Sequence, residues 1–150
     1  MSARATPVAR VAHRLEAPGL PTLVLQHQPA DADADAPLAD VIYVHGSTFG
    51  ADLSVFFALD GRSWGNELNT ASLDVWGFDF AGYGASDRYP PGSEPVGGLE
   101  QVLPQLQRVV EAVRARNGGK PVHLLAHSWG ATHKSGLCWR SGHRKRSGGW

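Results

Sequence analysis

Ser128 is the residue of this sequence best placed to act as a nucleophile. It follows the apolar run 121–126, which has the length and composition of a buried strand, and it precedes Trp129 and Gly130. A serine at a tight turn between a strand and a helix carries its hydroxyl above the edge of a sheet, the geometry of a nucleophile elbow. Bulky side chains two positions before or after the serine would collide with neighbouring backbone, and these positions hold Ala126 and Gly130. The pattern therefore favours a nucleophile, the alternative being a serine that only caps the following helix.

The tripeptide 45–47 (HGS) is a second candidate, a loop that follows the apolar run 41–44. Such a loop can aim a backbone N–H at the oxyanion that develops when a nucleophile attacks a carbonyl group. We assign one of these donors to the N–H of Ser47, with that of Thr48 as the alternative. The other donor is the N–H of Trp129, the residue after the nucleophile.

The remaining residues of this loop are predicted to support it. Gly46 lets a substrate approach the backbone closely, and His45 is interpreted as a structural residue that positions the loop through a hydrogen bond. His123 and His127 flank the elbow without Cys or carboxylate partners at metal-ligand spacing, so we predict no metal site. The glycines of segment 82–84 do not extend to a dinucleotide-binding motif, and we predict no cofactor.

The elements that must position these residues alternate between strands and helices. Three apolar runs are typical of parallel strands buried on both faces: 41–44, 73–80 and 121–126. Apolar residues at three-and-four spacing predict an amphipathic helix from Leu99 to Val113, with a stop at Asn117. Strands are predicted at 8–15 and 22–26, where they can form a hairpin, and segment 49–70 is predicted to hold a further helix and loops. Strand, helix and strand in this order predict an α/β fold, a mostly parallel sheet with flanking helices.

A third motif follows the second apolar run, where segment 79–87 reads D-x-x-G-x-G-x-S from Asp79 onward. This motif, the HGS loop and the elbow, in this order and spacing, resemble the α/β-hydrolase superfamily over roughly residues 8–132. The resemblance implies a Ser, Asp/Glu, His triad on an eight-stranded, mostly parallel sheet. It further implies that Ser128 attacks the carbonyl group of an ester- or amide-like small molecule to form an acyl-enzyme, which water then hydrolyses.

The acid and the histidine of such a triad are missing after Ser128. The family's order places both after the nucleophile, yet the last acidic residue is Glu111, and only His133 and His143 follow the serine. Since triad knockouts lose on the order of 10⁴- to 10⁶-fold in turnover, we predict little or no hydrolysis by this chain alone. The sequence is expected to be a truncated, amino-terminal part of an α/β-hydrolase domain, with an incomplete fold and an exposed edge at the elbow strand.

The charge distribution predicts a boundary at Thr132. Residues 1–132 carry 9 basic and 14 acidic residues, whereas residues 133–150 carry five basic residues and no acid. We interpret 133–150 as a basic, Gly-rich tail foreign to the fold, and 28–40 as an acidic surface loop. Two alternatives to a hydrolase stay open: a non-catalytic module whose tail binds anions or nucleic acid, and a pseudo-enzyme that pairs through its exposed sheet edge.

Composition excludes several other classes of protein. The 150 residues are 42% hydrophobic and 19% charged, which excludes a disordered or fibrous chain, and a single Cys excludes an internal disulfide framework. No apolar run reaches the roughly 18 residues of a membrane span, so we predict a cytoplasmic protein without a membrane partner. The expected partners are a small-molecule substrate and, at the exposed sheet edge, a second copy of the chain.

Overall fold

A computed structural model describes residues 9–31, 36–93 and 96–132 of the chain. They form one sheet in the order β1-β2-β4-β3-β5. The strands are β1 (Val11–Ala17), β2 (Leu20–Gln28), β3 (Ala39–Val44), β4 (Leu73–Asp79) and β5 (Val122–Ala126). Strand β3 pairs in parallel with both β4 and β5, whereas β1 and β2 form an antiparallel hairpin whose second strand runs along β4. The predicted α/β class is confirmed, although the hairpin makes the sheet a mixed one.

Three helical elements lie between the strands. A short 3₁₀ turn (Ala51–Leu53) and helix α1 (Trp64–Thr70) connect β3 to β4, and helix α2 (Leu99–Arg116) connects β4 to β5. Helix α2 buries the apolar stripe that its spacing predicts, with Val102, Leu106, Val109 and Val113 all fully or almost fully inaccessible. The predicted stop is also confirmed, since the backbone N–H of Asn117 caps the helix on the Val113 carbonyl.

The alternation of side chains along the strands divides the core between the two faces of the sheet. On one face Ile42, Val44 and Phe78 pack against α2. On the other face Tyr43 and Val75 pack with residues of the β3–β4 connection. Successive residues of a strand point to opposite faces, and here both faces are covered. The continuous apolar runs of β3 and β4 follow from this double burial.

The loop between β2 and β3 is shorter than the predicted acidic loop at 28–40, because strand residues occupy both of its ends. Gln28 belongs to β2 and Asp40 to β3, and both side chains are buried. The hydrogen bonds that the Asp40 carboxylate accepts from Trp76 Nε1, at 2.8 Å, and from Asn117 Nδ2, at 2.9 Å, offset the cost of burying it. Residues 32–35 lie outside the described part of the chain. The strand predicted at 8–15 is shifted as well, since β1 begins at Val11.

Strand β5, which leads into Ser128, lies at the edge of the sheet formed by the described residues. It pairs with β3, and the side chains of Val122, Leu124 and Leu125 are only half-buried. The predicted basic tail, 133–150, lies outside the described residues, so the boundary at Thr132 stays a prediction. Within the described ranges, no helix combines the length and the apolar character needed to cross a bilayer.

Candidate active site

Ser128 sits at a strained turn directly after β5. Its backbone φ is +53°, in the left-handed region that residues with a Cβ rarely adopt, and the residues 129–132 that follow are helical. The side chain is exposed at the end of the strand. Strain of this kind persists where the surrounding structure imposes it. The turn thus presents the Ser128 hydroxyl to solvent above the carboxyl end of the sheet.

Close packing against β3 imposes this turn. The N–H of His127 donates to the carbonyl of Val44, at 3.0 Å. A Cβ at Gly130 would lie less than 3.0 Å from the carbonyl oxygens of both Val44 and His45. Because these obstacles are backbone atoms, they cannot turn aside as a side chain could, and position 130 accepts only glycine without a shift of the elbow.

The HGS loop lies beside the elbow. A Cβ at Gly46 would lie 3.3 Å from the Ser128 Cβ and 3.2 Å from His127 Nδ1, so the two turns are in close contact. Among the described residues, the backbone N–H groups of Ser47 and Thr48 make no hydrogen bond within the protein. Both candidate donors of this loop are therefore available to a ligand near Ser128.

His45 is buried beneath this loop and is a positioning residue. Its Nε2 lies 3.0 Å from the backbone nitrogen of Phe80, and its Nδ1 lies 2.6 Å from the Gly46 carbonyl oxygen. An amide N–H only donates, so Nε2 must accept from Phe80, and Nδ1 carries the proton that it donates to Gly46. The C=O and N–H of a trans peptide point in opposite directions, so the Ser47 N–H points away from the imidazole.

A second hydrogen bond holds the next peptide of the loop. The Tyr83 hydroxyl donates to the Ser47 carbonyl at 2.7 Å, and the Tyr83 ring stands edge-on to that of His45 with 4.7 Å between centroids. His45 and Tyr83 therefore orient the two peptides on either side of the Ser47 Cα. The sequence predicts a positioning role for His45 but not its partners, and it does not predict the role of Tyr83, although Tyr83 lies in the motif that begins at Asp79.

The buried imidazole of His45 should make the stability of the protein depend on pH. Burial, the largest cause, lowers its pKa from the usual 6.5, against the opposing effects of the Gly46 hydrogen bond and the Asp79 charge. Below pH 6.5 the unfolded chain therefore takes up a proton that the folded protein resists. The free energy of unfolding should fall as the pH drops below 6.5, by at most about 1.4 kcal/mol per pH unit for this residue.

Urea unfolding of the wild type and of His45→Gln at pH 7.5 and pH 5.5 measures this contribution. The pH dependence should be smaller in the variant, whereas His123→Gln, which removes an exposed imidazole, should keep the wild-type dependence. Burial also lowers the pKa of His13, so part of the dependence should survive in every variant. An identical pH dependence in His45→Gln and the wild type would contradict the assignment.

Asp79, the first residue of the D-x-x-G-x-G-x-S motif, joins the loops that follow β3 and β4. Its buried carboxylate accepts from the N–H of Ala51 at 2.8 Å and from that of Ala85 at 3.1 Å. A Cβ at Gly50 or Gly84 would lie less than 3.0 Å from this carboxylate. Gly84 of the motif and Gly50 of the loop after β3 thus leave room for the carboxylate that ties the two loops together.

A cavity of about 520 Å³ opens beside the elbow. Ser128, Gly46 and Ser47 line one side of it, and Phe57 and Trp64, from the β3–β4 connection, line another. Its volume lies within the range of small-molecule sites, about 300–1,000 Å³. The described residues contain no cluster of three His, Cys, Asp or Glu side chains that could hold a metal ion.

A general base for Ser128 is not found among the described residues. The hydroxyl of Ser128 makes no hydrogen bond within the described ranges, and both ring nitrogens of His45 are engaged elsewhere. His133 and His143, the histidines that follow the serine in sequence, lie outside the described ranges. The structure brings the predicted nucleophile and the predicted oxyanion loop together, and the part of the chain that it describes places no acid and histidine of a triad beside them.

Comparison with known proteins identifies a family profile that covers most of the chain. The sequence profile described as Alpha/beta hydrolase family matches residues 41–146, a range that begins in β3 and contains the HGS loop, the Asp79 motif and the elbow. No protein of curated function matches the sequence significantly.

Solved structures share the fold at low sequence identity. An α/β serine hydrolase without lid from Xanthomonas campestris is 19% identical with a TM-score of 0.65, over 88% of this chain and 56% of that one. A soluble variant of monoglyceride lipase from Saccharomyces cerevisiae, in complex with a substrate analogue, is 18% identical with a TM-score of 0.63, and the match covers 92% of this chain and 40% of the lipase. Est1E from Butyrivibrio proteoclasticus, with ferulic acid bound, is 17% identical with a TM-score of 0.65, over 87% and 49%. The chain therefore spans about half the length of these structures, and the likeness establishes the fold.

Proposed function

Because the chain belongs to the α/β-hydrolase family, we propose that Ser128 is the nucleophile of an acyl hydrolase. The observation that carries the proposal is the left-handed φ of Ser128 at the end of β5, on a cavity that the HGS loop also lines. A residue that only capped a helix would have no need of this strained conformation, since N-cap residues ordinarily have extended backbone. The substrate class that we propose is an ester- or amide-like small molecule.

In the proposed reaction, the Ser128 oxygen bonds to the carbonyl carbon and the carbonyl electron pair moves onto its oxygen. The N–H groups of Ser47 and Trp129 donate to this oxyanion, and His45 and Tyr83 keep the Ser47 peptides in the required orientation. The oxyanion then collapses, the alcohol or amine leaves with the proton that Ser128 has lost, carried to it by solvent water, and an acyl-enzyme results. Water attacks the acyl-enzyme, which releases the acid and restores Ser128.

We further propose that residues 1–150 alone carry out these steps slowly. A base must take the Ser128 proton during attack, and His45 is unsuited because protonation of its Nε2 would break the hydrogen bond from Phe80. Residues 129–150 contain no Asp or Glu that could orient His133 or His143. Oxyanion stabilisation and binding alone retain on the order of 10³- to 10⁴-fold catalysis over water in enzymes stripped of their triad. Acylation of Ser128 should then be detectable, and turnover small.

A fluorophosphonate probe tests the nucleophile. The Ser128 oxygen should bond to phosphorus as fluoride leaves and the proton passes to buffer, which adds one phosphonyl group to the intact mass. Ser128→Ala should abolish this labelling. Ser72→Ala is the matched control, because Ser72 also has a left-handed φ, +60°, yet precedes β4 and is not among the residues lining the cavity. Labelling that persists in Ser128→Ala would refute the proposal.

A further inference from the structure

One wall of the cavity beside Ser128 is apolar and open to solvent. Phe49, Phe57, Leu59 and Trp64 line it, and each is more than half exposed, Leu59 at 72%. Ten large hydrophobic side chains are exposed among the described residues, and these four of them share one cavity. Apolar side chains gathered in this way mark a binding surface, whereas single exposed ones are ordinary.

The wall is built before any ligand arrives. Leu59 and Arg62 exchange two backbone hydrogen bonds, at 2.8 and 3.0 Å, across a turn formed by Asp60 and Gly61. The φ angles of these two turn residues, +50° and +80°, are those of a type I′ turn, the tight connection that suits a hairpin. Leu59 is therefore held beside the cavity by a closed turn.

Helix α1 fixes the other end of the wall. Ser63 and Asn66 form a reciprocal capping box, in which each side chain accepts from the other residue's backbone N–H. The N–H of Gly65 donates to the Val55 carbonyl at 2.8 Å. Trp64, the first residue of α1, is thereby held on the cavity. Because these side chains are already held in place, little conformational entropy is lost when a ligand binds against them.

The charges of the cavity cancel one another. Arg62 and Glu67 both line it, and the Arg62 Nε lies 2.7 Å from a Glu67 carboxylate oxygen. The guanidinium is thus already paired with a carboxylate, so an anionic ligand would have to compete with Glu67 for it. The cavity combines an apolar wall with a neutralised ion pair, and this combination favours an uncharged ligand.

We propose that the segment 57–64 recognises an uncharged ester through a medium-length alkyl or an aryl group laid against Leu59 and Trp64. The placement of the ester carbonyl at Ser128 rests on the proposed function, whereas the apolar contact does not. The specificity of the site is then set by the connection between β3 and β4, ahead of the elbow in sequence. Contact with Leu59 and Trp64 selects for chain length and against charge.

Binding of small esters to Ser128→Ala, which cannot be acylated at this position, tests the proposal. Methyl hexanoate should bind at least about tenfold more tightly than methyl acetate, because its additional methylenes leave water. The hexanoate anion should bind more weakly than its methyl ester. Calorimetric titration, or ligand-observed NMR where affinity is low, measures the three dissociation constants. Equal binding of the two methyl esters, or tighter binding of the anion, would overturn the proposal.

Variants of the wall locate the binding. Leu59→Ser and Trp64→Ala, each made singly in the Ser128→Ala background, should remove most of the advantage of methyl hexanoate. Leu53→Ser is the matched control, because Leu53 is similarly exposed, at 60%, and does not line this cavity. Circular dichroism identifies the variants that fold, and only the affinities of folded variants are compared. An advantage that survives in folded Leu59→Ser and Trp64→Ala would place the binding elsewhere and refute the inference.

The two proposals fail in different ways. Selective binding of methyl hexanoate with no phosphonylation of Ser128 would refute the proposed nucleophile and retain the apolar site. Phosphonylation of Ser128 without any preference for the longer ester would retain the nucleophile and refute the apolar site.

Discussion

Gly130→Ser is expected to lower the free energy of unfolding by about 3 kcal/mol or more. The new Cβ would lie less than 3.0 Å from two backbone carbonyl oxygens of β3 and its loop, those of Val44 and His45. Relief requires the elbow to move away from β3, which would strain the hydrogen bond from the His127 N–H to Val44. Urea unfolding, followed by circular dichroism, measures the loss.

Gly98→Ser is the matched control for this substitution. Gly98 is the N-cap of α2, has an ordinary φ of −69°, and a Cβ there meets nothing within 4 Å. Serine is a better N-cap than most residues, so the stability of this variant should equal or slightly exceed that of the wild type. Phosphonylation of Ser128 should be slower in Gly130→Ser, because the elbow has shifted, and unchanged in Gly98→Ser. Equal stability of the two variants would contradict the packing of the elbow on β3.

Asp79→Asn is expected to cost about 3 kcal/mol, which for a chain of this size lowers the melting temperature by roughly 10 °C. Each carboxylate oxygen accepts one backbone N–H, from Ala51 or from Ala85. The amide of asparagine has only one oxygen, so its NH₂ group must face one of these donors. The substitution therefore deprives the N–H of Ala51 or of Ala85 of its acceptor and weakens the charge-assisted hydrogen bond that remains.

Asp52→Asn is the control for loss of a carboxylate in the same region. Asp52 is largely exposed and pairs with Arg10 at 3.0 Å, an interaction typical of a surface salt bridge. Its replacement should cost less than about 1 kcal/mol. Amide hydrogen exchange adds a local readout, since Asp79→Asn should speed exchange at Ala51 and Ala85 well before global unfolding. Exchange at these two residues that stays at the wild-type rate would refute the assigned role of Asp79.

Gly130 and Asp79 both help to align the three loops that follow β3, β4 and β5 at one end of the sheet. The elbow packs on β3 through Gly130, and the loops after β3 and β4 meet at Asp79. His45 and Tyr83 add hydrogen bonds that connect the HGS loop to the loop after β4. A proposed site that must hold an oxyanion to within a fraction of an ångström depends on this shared support.

The elements around the site could be predicted because their causes are local. Runs of apolar residues mark β3, β4 and β5, and the three-and-four spacing of Leu99 to Val113 marks α2. The position of Ser128 after a strand, with small residues two positions before and after it, predicts a tight turn on steric grounds. The predicted loop at 28–40 is longer than the observed one, because the burial of Gln28 and Asp40 depends on partners far away in sequence.

The apolar wall of the cavity could not be predicted in this way. Phe57, Leu59 and Trp64 follow no strand or helix periodicity, because they face a cavity and not the core. The Asp60-Gly61 pair is a turn signal, yet a turn signal does not say which surface the turn will meet.

By itself, the sequence determines the order of strands and helices, the sharp turn at Ser128 and the family to which these motifs belong. It also shows that no acidic residue lies between Ser128 and Trp150. Only the tertiary structure decides which groups His45 bonds, that Asp79 joins two loops, and that the turn at Leu59 lines the same cavity as Ser128. The physical reason is that these arrangements depend on contacts between residues far apart in the chain, such as the hydrogen bond from Phe80 to His45. The pairing of β3 with both β4 and β5 brings the loops that carry these residues together at one end of the sheet.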